Sequence, residues 1–99
     1  TCSLAENGRA LFPDAVTARG TKHLRELERL VGGGHGGVIF FLVQRLDCDS
    51  FSPAAAIDPT YSATLGEVFR KGVEIFVYQA RVTPESIDIV RSLPVKLNG

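Results

Sequence analysis

Val38-Ile39-Phe40-Phe41-Leu42-Val43 is a run of six apolar residues that no polar side chain interrupts. A short unbroken run after a glycine-rich loop reads as a strand covered on both faces, as in a parallel sheet. A second apolar run, Val73 to Val82, contains Ile75, Phe76, Val77 and Tyr78. Between the two, Asp58-Pro59 has the form of a helix N-cap followed by proline at the first helical position. Tyr61, Leu65, Val68 and Phe69 then give that helix an apolar face, and Gly72 closes it. Strand, helix, strand predicts a right-handed βαβ unit with parallel strands. Phe40, Phe41, Phe69, Phe76 and Tyr78 are accordingly expected in the core, leaving no exposed aromatic stripe on which single-stranded nucleic acid could stack.

The first third of the chain carries other local signals. Asn7-Gly8 separates Thr1–Glu6 from Arg9–Phe12, and both residues tolerate the positive φ a tight turn requires, so a β-hairpin is expected that ends at Pro13-Asp14. From about Thr17 the period becomes helical. Val16, Gly20, Leu24, Leu27 and Val31 form one stripe with Leu30 at its edge, while Arg19, Lys22, His23 and Glu26 fall on another face. The helix should stop at Gly32-Gly33-Gly34, where glycine supplies a left-handed cap, and Gly32 to Gly37 should be a mobile connector around a solvated His35. Asp47 to Ala56 reads as a polar loop, and Ser86 to Val90 as a short alternating strand.

With 99 residues the chain fits one domain. Eleven basic and eleven acidic side chains cancel, so a nucleic-acid role would have to rest on a local patch rather than on net charge. Cys2 and Cys48 lack zinc-type spacing and are expected as buried or half-buried thiols in a reducing compartment. No apolar run approaches the roughly 20 residues of a membrane span, and a soluble, cytoplasmic protein without membrane contact is expected. The chain holds no methionine and opens on Thr1-Cys2-Ser3-Leu4, which already reads as strand, so sequence upstream of Thr1 is expected to be missing.

Leu11-Phe12-Pro13-Asp14-Ala15-Val16-Thr17-Ala18-Arg19-Gly20-Thr21-Lys22-His23-Leu24-Arg25-Glu26-Leu27 resembles the signature of the sugar fermentation stimulation protein A family, a bacterial DNA-binding family. Val43-Gln44-Arg45, Asp58-Pro59 and Arg81-Val82-Thr83-Pro84 match in order and spacing, so the resemblance covers nearly the whole chain. It implies an N-terminal OB-like domain, absent here, and a C-terminal domain like the PD-(D/E)xK nucleases. Residues 1–99 would then be that second domain, truncated at its N-terminal side. The expected fold is α/β: a restriction-endonuclease-like mixed sheet with an N-terminal hairpin, a helix and then a βαβ unit, as an incomplete domain. The family's Glu-x-Lys would lie immediately before Thr1, and its metal-binding aspartate upstream of that. No metal ligand or cofactor is therefore assigned to this chain, while Mg2+ or Mn2+ is implied for the intact protein.

Arg19 and Lys22, three residues apart at a helix start, would meet a DNA phosphate, or else form a solvated face with a Lys22–Glu26 pair. His23 is a candidate for proton transfer or phosphate contact, or a half-buried spacer between helix and sheet. Gln44 and Arg45 end a strand where ligand sites collect in open α/β sheets, Gln44 as a neighbour of the catalytic site and Arg45 as a DNA contact; the bland reading is a polar strand terminus. Asp14 is a turn or capping residue, or an acidic neighbour of the site. Asp47, Asp49 and Asp58 read as a solvated acidic loop plus a helix cap, without calcium-site spacing. Three functions follow. The first is DNA binding, implied to regulate sugar (maltose) metabolism, and the second is metal-dependent DNA cleavage by the intact protein. The third is a structural half-domain that needs upstream strands or a partner chain, with self-association through exposed sheet edges.

Overall fold

In a computed structural model, which describes Cys2 and residues 4–97, the chain forms two three-stranded mixed sheets and two helices. The hairpin is present: β1 (Leu4–Glu6) pairs antiparallel with β2 (Arg9–Phe12), and Glu6 faces Arg9. Asn7 and Gly8 both have positive φ, 53° and 77°, as a two-residue turn between twisted strands demands. Thr1 and Ser3, part of the expected first strand, lie outside the described residues.

Helix α1 (Ala18–Gly32) begins on Thr17, whose side chain accepts the Gly20 N–H at 3.0 Å. Its stripe is narrower than expected. Leu24 and Leu27 are buried, but Val16 precedes the helix and stands in solvent. At the other end the left-handed residue is Gly34, φ +88°, while Gly33 is not left-handed. The His35 N–H reaches back to the Leu30 carbonyl and the Gly34 N–H to that of Val31, which satisfies two orphan carbonyls. His35 is exposed, as expected, yet its backbone closes the helix.

β3 (Val38–Val43) and β5 (Glu74–Val82) are parallel, and α2 (Pro59–Arg70) lies between them in sequence. The expectation that β3 is covered on both faces is overturned. Ile39, Phe41 and Val43 are buried, whereas Val38 is 45% and Phe40 55% exposed. Phe76, in register with Phe40, is exposed as well, and Phe40 stacks on Tyr78 with ring centres 5.2 Å apart. Phe69 also stands half in solvent on α2, so of the five aromatics assigned to the core only Phe41 is buried. An exposed aromatic patch therefore exists. β6 (Ile87–Ser92) completes this sheet antiparallel to β5.

The expected polar loop over Asp47 to Ala56 contains a strand instead. β4 (Ser50–Pro53) is buried throughout and pairs parallel with β2. On its other side the Phe51 N–H donates to the Pro94 carbonyl, and the Lys96 N–H to the Phe51 carbonyl. The Ser52 hydroxyl finds the Lys96 carbonyl at 2.7 Å, which makes its burial tolerable. Cys2 joins the two sheets: its N–H donates to the Leu42 carbonyl, and its own carbonyl accepts from Gln44.

The helices and inner sheet faces enclose one core. Phe12, Phe41, Phe51 and Tyr61 interlock there with ring centres 4.5–5.5 Å apart. α1 meets α2 closely at Gly20, where an added Cβ would sit 3.0 Å from the Tyr61 ring and 2.8 Å from the Thr17 methyl. Farther along, Arg25, Glu28, Lys71 and Glu67 close a ring of alternating charges across the helix pair, with contacts of 2.8–3.8 Å. Lys22 and Glu26 form no such pair among the described residues.

Candidate functional site

Two helix starts are tied together by a single carboxylate, which caps α2 and braces the cap residue of α1. Asp58 Oδ1 accepts the Tyr61 N–H at 3.0 Å, which begins α2, and Oδ2 accepts the Thr17 N–H at 2.8 Å, which holds the start of α1. Asp58 is 3% exposed, so it is a buried brace rather than a member of a solvated acidic loop. The N–H donors of Thr17 and then Tyr61 hold its carboxyl below the usual carboxylate range. Asp14 caps neither helix and lies exposed in the bend before Thr17.

The contacts set this end of the molecule against the carboxyl half of β3. Tyr61, in the first turn of α2, packs on Phe12, which packs on Phe41. At the opposite end, Gly37 and Gly72 both lie against Val31 in the last turn of α1. Each helix therefore runs back past the strand that follows it, and both amino ends face the carboxyl ends of β3 and β5. Ligand sites collect at that position in open parallel sheets.

Arg19, Lys22 and His23 are exposed on the first two turns of α1. His23 is therefore not a spacer buried against the sheet. Gln44 and Arg45, also exposed, leave β3 at the same end. Arg45 grips Asp47 with two hydrogen bonds, of 3.0 and 2.7 Å, and this raises the guanidinium pKa while holding the Asp47 carboxyl low. No described hydrogen bond or ion pair joins Arg19, Lys22 or His23 to Gln44 or Arg45. Part of the anion-binding capacity of the helix ends is already used. Asp58 takes the Thr17 N–H and the Thr17 hydroxyl takes that of Gly20, so an incoming phosphate would meet side-chain cations first.

Sequence reasoning missed Gln79 and Arg91. Gln79 lies within the apolar β5 and is 2% exposed. Its amide nitrogen donates to the carbonyls of Arg45 and Cys48, both at 2.9 Å, and its oxygen accepts Arg91 Nε at 2.9 Å. A lone glutamine inside an apolar strand was the available signal, since a buried amide needs partners. Cys2 and Cys48 are free and buried, and burial raises the pKa of both thiols, that of Cys2 to about 11. Among the described residues no group of three or more His, Cys, Asp and Glu could hold a metal ion, and no helix is long and apolar enough to cross a membrane.

Comparison with known proteins bears on the family and the fold. The family model described as the sugar fermentation stimulation protein RE domain matches residues 1–86. A sugar fermentation stimulation protein homolog from Desulfotalea psychrophila is 60% identical over 99% of this chain and 39% of its own length. A homolog of the same description from Geotalea daltonii is 56% identical over 96% of this chain and 41% of its own. The solved structure of Pyrococcus furiosus SfsA in complex with Ca2+ superposes with a TM-score of 0.89 at 28% identity, over 96% of this chain and 42% of that one. The chain thus spans about two fifths of the length of these relatives.

Proposed function

The chain belongs to the sugar fermentation stimulation protein family, and on that premise we propose that it serves a cytoplasmic DNA-binding protein, with the common start of its two helices as the contact surface. The observation that carries the reading is the exposure of Arg19 and Lys22 on the turns that Asp58 holds in place. Their cations meet phosphates, and His23 and Arg45 extend the same end of the fold. The net charge of these 99 residues is zero, so the attraction they contribute rests on these few contacts, each adding about 0.9 to the log–log salt slope. Regulation of sugar metabolism would follow from where such a protein sits on DNA.

Titrating the full-length protein with a labelled DNA duplex over a range of KCl tests this. The Arg19→Ala, Lys22→Ala double variant should lose about 2 from the log–log salt slope, close to one for each phosphate contact. Unchanged slope and affinity in that variant would remove this surface from consideration.

Metal-dependent DNA cleavage by the intact protein is the second reading, favoured by the Ca2+ named with the Pyrococcus furiosus structure. The described residues of this chain do not amount to a metal donor set, so none of them is given a role in holding the ion. The resemblance assigns that role to an aspartate and a Glu-x-Lys outside this sequence. The 99-residue chain alone should accordingly show no Mg2+- or Mn2+-dependent cleavage, and nuclease activity that co-purifies with it would refute this.

A further inference from the structure

The hydrogen bonds around Gln79 organise more than a strand. The Gln79 amide ties down the carbonyls of Arg45 and Cys48, the two ends of the turn that leaves β3. Arg91 sits opposite Gln79 in the register of β5 and β6 and spends only one edge of its guanidinium on this anchor. Nε donates to Gln79 Oε1 at 2.9 Å and Nη2 to the Cys48 carbonyl at 3.1 Å. No described contact takes Nη1, and the residue is exposed. A guanidinium fixed along one edge has already lost the side-chain freedom that phosphate binding would otherwise cost, and its planar fork suits a phosphate oxygen pair.

We infer that Arg91 is a further phosphate-contacting residue of the DNA surface, and that Gln79 is its positioning residue. This rests on the DNA-binding reading and widens it from the α1 start to the turn after β3. Arg91 lies beyond the residues that the family model matches, so the match does not supply the assignment. Gln79 acts twice through one amide, orienting Arg91 and fixing the backbone that carries Arg45.

The test uses the full-length protein and a fluorescein-labelled 30-base-pair DNA duplex, with anisotropy followed from about 50 to 300 mM KCl. Arg91→Ala should reduce the log–log salt slope by about 0.9 and weaken binding roughly 5- to 10-fold at 100 mM KCl. Arg91→Lys should keep the slope but lose affinity, since a single ammonium cannot hold both anchors and a phosphate. Gln79→Met keeps the side chain's length and removes its amide. It should leave the slope intact and weaken binding several-fold, whereas a purely structural Gln79 would shift only the urea midpoint. Wild-type slope and affinity in Arg91→Ala, with the Arg19→Ala, Lys22→Ala pair still losing about 2, overturns the inference alone. A wild-type protein that does not bind the duplex overturns the DNA reading and this inference together.

Discussion

Asp58 carries an unusual share of this fold for one residue, because two helix starts depend on its two oxygens. Its carboxyl is held low by those N–H donors, so the sign of its pH effect is fixed. The stabilisation is complete above the unfolded carboxyl value, near 3.9, and is lost as pH falls through the lower folded value. Asp58→Asn offers one carbonyl oxygen where two acceptors are needed. The urea midpoint of the variant at pH 7 should fall by roughly 0.5 M or more. Its stability should also change less than the wild type's between about pH 2 and 5, since one titrating carboxylate is gone. A variant with an unaltered acid limb would show that Asp58 is not the coupled group. The sequence revealed half of this role. Asp58-Pro59 announces a cap for its own helix by local grammar, but the bond to Thr17 lies 41 residues away and has no local signal.

Among the elements, those with short-range causes were legible. Asn7-Gly8 sets the hairpin, Asp58-Pro59 starts α2, and glycine ends α1, each through backbone conformations that neighbouring residues dictate. The closing glycine can be told apart from its neighbours by substitution. Gly34→Ala must adopt φ +88° and should cost about 1 kcal/mol, while Gly36→Ala, with open space around it and no positive φ, should be near neutral. Equal urea midpoints for the two would contradict the assigned cap. β4 was illegible for the opposite reason. Ser50-Phe51-Ser52-Pro53 has no apolar run, and it is a strand because β2 and the Pro94–Lys96 segment pair with its two sides. The same limit applied to β3, whose apolar run looked doubly covered although only its inner face meets the helices. The candidate site followed suit. Arg19, Lys22 and His23 were readable as a helix face, whereas Gln79 and Arg91 became meaningful only once the turn after β3 was seen to lie across β5.

At the scale of the whole molecule, the uncovered side of the β3–β5–β6 sheet dominates. Val38, Phe40 and Phe76 share it with the partly exposed Tyr78, and Ile87, Ile89 and Val90 of β6 are also exposed. Apolar surface left in water forfeits about 25 cal/mol per Å², so contact between two such faces is favoured. The 99-residue chain should sediment as a concentration-dependent mixture of monomer and larger species. Phe40→Glu should move it toward monomer without lowering the urea midpoint, because Phe40 contributes little to the core. A chain that remains monomeric at millimolar concentration would show that the face tolerates water. Molecular scale also gives Asp58 a temporal meaning. The brace on the Thr17 N–H comes from 41 residues downstream, so this one bond can form during chain growth only after that distant carboxylate has emerged and the intervening loop has closed. Thr17 caps α1 locally, but the fixed meeting of the two helix starts, and with it the placing of the cationic surface on α1, waits until α2 docks.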